Sequence, residues 1–226
     1  MPVNRRIFNL SRRLWKDRSG VALLEFGMTL PILLLLSLTG AELTNYVITR
    51  MRVSQIALHL ADNAARIGSG SQLQAKQITE ADINDLLTGA GLQAGELDLY
   101  RNGRVIISSI EPSIVNPANS RIRWQRCRGS KTTRASTYPT AAQRAAGATN
   151  DNLPGMGPDG RQVTAPPYGV TMFVEVYYEY QPLVKTSLSP TRDMTEIASM
   201  MVRDRRDTVG GANGVYQVSG VTPSTC

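Results

Sequence analysis

One apolar stretch constrains this chain more than any other feature. Residues 21–40 read VALLEFGMTLPILLLLSLTG, interrupted by a single charge at Glu25. Twenty residues of α-helix span about 30 Å at ~1.5 Å per residue, the thickness of a bilayer's hydrocarbon core. The leucine run at 32–36 is too dense for the one-sided face of a soluble helix. Thr29, Ser37 and Thr39 can return their hydroxyls to helix carbonyls. Pro31 lacks a backbone donor and is expected to kink or loosen the helix. A carboxylate inside such a segment costs roughly 2.5–3.5 kcal/mol at the helix centre on insertion scales, which marks Glu25 as a functional residue.

The flanking charge sets the expected orientation. Residues 1–20 carry six basic residues (Arg5, Arg6, Arg12, Arg13, Lys16, Arg18) against Asp17, a net +5. The rest of the chain has 19 basic and 17 acidic residues, only +2 of the total +7. A basic cluster before a span places the amino terminus in the cytoplasm and the remainder outside. A nucleic-acid-binding arm is disfavoured, because no folded basic domain stands behind the cluster. A cleaved secretory signal is also disfavoured. The apolar region is longer than the usual ~7–15 residues, and no small-x-small site precedes a polar start.

Beyond the span, Val53, Ile56, Leu60, Ala64 and Ile67 step by three and four residues along one helical face. Gly68-Ser69-Gly70 supplies a stop. One helix of nearly fifty residues is therefore expected, a membrane span over 21–47 and an amphipathic stalk over 48–70. Residues 71–226 are expected to form one exported head. In it, 80–88 reads as a helix closed by Gly89. Segments 97–100 and 104–110 flank Asn102-Gly103, a strong hairpin signal. Residues 121–128 read as a strand with Ile122, Trp124 and Arg126 on one face. Residues 169–180, GVTMFVEVYYEY, alternate cleanly and stop before Pro182. Residues 194–202 read as a last strand, with a helix as the alternative. The fold class is α+β, with the head built on an antiparallel sheet.

Residues 129–168 are rich in Pro and Gly and show little apolar periodicity. They read as a surface loop with few core residues, containing at most a short helix at 140–148. Its glycines lack the Lys-Ser/Thr pair of a phosphate-binding loop. Cys127 and Cys226 form an even pair in an exported domain and are expected to be disulfide-bonded. His59 is the sole histidine, with no cysteine near it in sequence, and reads as a surface or packing residue. The chain shows no catalytic constellation, no metal spacing and no cofactor motif, so neither an enzyme nor a cofactor-binding protein is expected.

The amino-terminal residues carry a resemblance. Arg18-Ser19-Gly20, then Glu25-Phe26, then Leu30-Pro31 and the leucine run, resemble the TadE-like family. These are pilin-like minor proteins of tight-adherence (Tad/Flp) type IV pilus systems. The specific similarity covers residues 13–50, with Glu42-Leu43 like the acidic end of that family's span. The head is similar only loosely. The resemblance implies a pilin-like head and cleavage between Gly20 and Val21 by a membrane prepilin peptidase. It implies roles for Glu25 and Phe26 in assembly with other pilin-like subunits and the pilus assembly platform. It also implies an inner-membrane, single-pass protein supporting pilus biogenesis and surface adhesion. After cleavage, Glu25 could neutralise the new amine of a neighbouring subunit's Val21, two charges tolerable in lipid only as a pair. The alternative is a membrane-anchored exported binding or sensor protein that keeps its leader.

Overall fold

A computed structural model describes residues 19–71, 74–184 and 190–226. Residues 1–18 of the expected basic leader 1–20, including Arg18, lie outside the described residues. The chain divides into two units. One holds the described residues up to Asn45 together with 182–184 and Pro190, and the other is Tyr46–Gln181 with Thr191–Cys226. Helix α1, Ser19–Arg66, runs through Pro31 without interruption and contributes to both.

In the second unit the face expected from spacing is the buried one. Val53, Ile56, Ala57, Leu60, Ala61 and Ala64 are 0–3 % exposed, and Ile67 is partly buried. Four alanines of α1, Ala57, Ala61, Ala64 and Ala65, lie in this core, and their small side chains let the helix backbone come close to its neighbours. These residues cover one face of a four-stranded antiparallel sheet of order β3-β2-β4-β5. The strands are β2 (Gly103–Pro112), β3 (Ser120–Arg128), β4 (Thr171–Glu179) and β5 (Asp193–Met201). The last is a strand, not the alternative helix. A two-residue strand β1 (Ile78–Thr79) pairs in parallel with β6 (Val215–Tyr216).

The alternation in β4 is borne out on both faces. Met172, Val174, Val176 and Tyr178 join the core under α1. Thr171, Phe173, Glu175 and Tyr177 point the other way and are buried too. Period-two patterning assigns faces but cannot say that both are covered.

Four expectations need correction. The hairpin at Asn102-Gly103 does not form. Residues Gly95–Leu97 make a 3₁₀ turn and Leu99–Asn102 a single helical turn, α3. Leu97 and Leu99 are buried, and the Leu97 carbonyl accepts hydrogen bonds from Asn102 Nδ2 (3.2 Å) and Tyr178 Oη (3.0 Å). Gly103 has ordinary extended backbone; a Cβ there would lie 2.3 Å from the Tyr177 carbonyl oxygen. Its role is strand contact, not a turn.

Helix α2 spans Glu80–Ala94 and passes Gly89 before ending at Gly95, whose φ is +52°. Its start is a reciprocal cap between Thr79 and Asp82. Gly91 lies under the Tyr100 ring, where a Cβ would approach within 2.5 Å.

In β3, Ile122 does not share a face with Trp124. The register slips between Ser109 and Ile110, so Trp124 pairs with Ser109 and Ile122 with Ile110. This bulge turns Ile122 to the opposite side of the sheet, whereas Trp124 joins the core under α1.

Finally, residues 129–168, expected as a surface loop with few core residues, supply part of the core. Leu153 and Met156 are fully buried, and with Tyr138, Ile110 and Phe173 they form a second hydrophobic cluster on the sheet's other face. Leu153 exchanges backbone hydrogen bonds with Ser120 (2.8 Å each), and Met156 does so with Val163 (2.9 and 2.7 Å). Thr140 and Gln143 cap a short helix α4, Ala141–Ala145.

Candidate functional site

The amino-terminal part of α1 is apolar and bare. It is long and apolar enough to cross a membrane, and none of its most apolar stretch is buried. Every described residue from 20 to 38 is exposed, including Val21 and Phe26. Water does not tolerate such a surface on a lone helix, so another apolar phase or another apolar helix must cover it.

Glu25 stands on this segment as its one charged side chain before Glu42. The hydroxyl of Thr29 donates to the carbonyls of Glu25 (2.9 Å) and Phe26 (3.3 Å), and Thr39 donates to Leu35 O at 2.7 Å. The threonines thus satisfy themselves within the helix, leaving the Glu25 carboxylate as its outward charged group. Gly20 is in open space: a Cβ would meet nothing within 4 Å. The helix itself makes no demand for glycine there.

Glu42 behaves differently. It is 5 % exposed, and its Oε2 accepts the backbone N–H groups of Leu183 (2.9 Å) and Val184 (3.1 Å). Two charge-assisted bonds tie the segment following Pro182 to α1. The acid was visible in sequence at the end of the span, but nothing there signalled its partners 141 and 142 residues away.

The head holds its own buried charges. Arg126 of β3 makes a two-pronged ion pair with Glu80 at the start of α2; Nε to Oε2 is 2.9 Å. Glu111 accepts from Arg121 at 2.9 Å, with Arg123 Nε at 3.8 Å. Glu175 is buried and accepts from the Ser136 hydroxyl (2.5 Å) and the Thr137 amide (2.8 Å). Burial pushes its carboxyl pKa up, opposed by those two donors. The Tyr100 phenol, whose hydroxyl donates to Leu87 O, is pushed up to about 12 by burial. Spacing did not reveal the Arg126–Glu80 and Glu175–Ser136 pairings, because each joins residues far apart in the chain, whereas Glu111 and Arg121 face each other across neighbouring strands.

Cys127 and Cys226 are joined by a disulfide with Cα atoms 4.9 Å apart. Cys127 also donates its backbone N–H to Ser224 O at 2.8 Å, so the tail is laid along β3. His59 is exposed beside the Gln93 amide. Among the described residues no group of three or more His, Cys, Asp or Glu is placed to hold a metal. No family model, curated protein or solved structure matches this chain.

Proposed function

We propose that this chain is a minor pilin or pseudopilin of a Tad/Flp-type pilus assembly and secretion system. The observation that carries the reading is the bare apolar helix with a single carboxylate, Glu25, five residues after Gly20. Further along, the same helix buries an apolar face against an antiparallel sheet, which supports reading residues 48–70 as a stalk.

The chemistry supports the spacing. A peptidase cutting after Gly20 needs backbone access, and glycine at an unconstrained, exposed position gives it. The new amine at Val21 and the carboxylate at Glu25 are one helical turn apart. Across a helical stack, Glu25 of one subunit meets the amine of the next, so register is rewarded and each charge is neutralised in lipid. The apolar surfaces of 21–40 then cover one another. In this reading the protein resides in the inner membrane with its head on the outer side, and enters the pilus on processing.

The test is Glu25→Gln in the native host. Size is kept and charge is lost, so membrane insertion and level should be unchanged while piliation and surface adhesion are lost. Normal pili and adhesion in that strain would remove the pairing role. A membrane-anchored sensor or binding protein that keeps its leader predicts that second result.

A further inference from the structure

A cleft of about 730 Å³ opens at the end of the sheet where β2 finishes, lined by residues from the turn after β2, the segment 167–170 and the chain following β5. Helix α1 ends here as well, since Arg206 donates to the carbonyls of Ala64 (2.8 Å) and Ile67 (3.3 Å). The cleft is lined by Arg121, Arg203, Arg205 and Arg206, with two carboxylates, Glu111 and Asp204. Both acids are engaged: Glu111 by Arg121 and Arg123, and Asp204 by Lys76 at 2.6 Å. Arg203 and Arg205 form no ion pair among the described residues, so six cations share two carboxylates. Burial lowers the pKa of Arg206 to about 10, opposed by Asp204, as expected for a guanidinium short of counter-charge.

The rim carries an aromatic ring held out at a conformational cost. Pro166 O accepts the N–H of Gly169 at 2.9 Å, closing a four-residue turn with Pro167 second and Tyr168 third. Tyr168 has φ +59°, the left-handed value that a type II turn requires at its third position and that favours glycine. Its side chain is nonetheless fully exposed and packs no core. A large residue placed in glycine's position while burying nothing is a sign of a binding function.

We infer that this cleft binds an acidic saccharide, with a pyranose face stacked on Tyr168 and a carboxylate held by Arg203 and Arg205. Guanidinium groups match carboxylates in two-pronged geometry. An exposed tyrosine offers a flat apolar face with a polar tip. The volume suits a short oligosaccharide. A simple acidic peptide would satisfy the arginines but give Tyr168 no role, so the aromatic decides between them. The inference uses residues of the head alone and is independent of the pilin reading.

The full chain in lipid nanodiscs should be titrated calorimetrically with trigalacturonic acid, and with maltotriose and triglutamate as neutral and acidic controls. Saturable binding of trigalacturonate alone is expected. The exposed Arg203→Gln/Arg205→Gln pair should weaken it at least tenfold. Tyr168→Asn should weaken it similarly while leaving the melting temperature equal or higher, because Asn tolerates the left-handed conformation; a purely structural Tyr168 would not separate the two readouts. The inference is overturned by no trigalacturonate binding, by equal binding of triglutamate, or by unchanged affinity in the Tyr168→Asn protein.

Discussion

Glu175 shows what residue-scale burial does to this head. Its β4 position alternates with Val174 and Val176, and the same period that buries those valines on one face buries this carboxylate on the other. Its hydrogen bonds come from Ser136 and Thr137, with no ion pair among the described residues. Its pKa is raised above the ordinary value of 4.5, so the folded state binds the proton more tightly than the unfolded state. The stabilisation from protonated Glu175 is therefore complete below that ordinary value and is lost as pH rises through the raised folded value. Glu175→Gln removes the titration. Denaturant melts at several pH values should show the native protein losing stability relative to the variant on going from acid to neutral pH. A constant difference across pH would contradict the assignment. Position 175 was placed on the correct face by alternation, but its burial depends on the 129–168 segment, which carries no periodic signal.

At the scale of elements, that segment is the largest departure from sequence expectation. Leu153 and Met156 are isolated apolar residues among Pro, Gly and polar neighbours, so no helical or strand period announces them. They are nevertheless fully buried against Ile110 and Phe173. Leu153→Ala should destabilise the head by about 2–5 kcal/mol, the usual cost of a buried leucine truncation, measured by chemical denaturation. A loss under about 0.5 kcal/mol, typical of surface positions, would return the segment to the surface. The long strands were legible because β-branched and aromatic residues alternate in them. The false hairpin at Asn102-Gly103 arose because turn chemistry was read without the burial of Leu97 and Leu99. The bulge in β3 was equally invisible, since one extra residue leaves no mark on composition while reversing Ile122.

At the scale of the whole chain, the covalent and chemical ends differ in kind. The carboxyl terminus is fastened by Cys127–Cys226, closing 99 residues of sequence. Cys226→Ser should cost up to about 4–5 kcal/mol in the chain-entropy model, seen as a lower denaturation midpoint than that of the oxidised native protein. Equal midpoints would mean that the bond constrains nothing. The amino-terminal side is defined by a bare apolar helix and one acid, features legible in sequence alone because they depend on composition and spacing, not on folding. Gly20 and Glu25 have meaning together only if the leader is removed, because only then does Val21 carry an amine for Glu25 to pair. Intact-mass spectrometry of the protein isolated from its own membranes tests this most directly. The account predicts a mature chain beginning at Val21. A mass retaining residues 1–20 would contradict it.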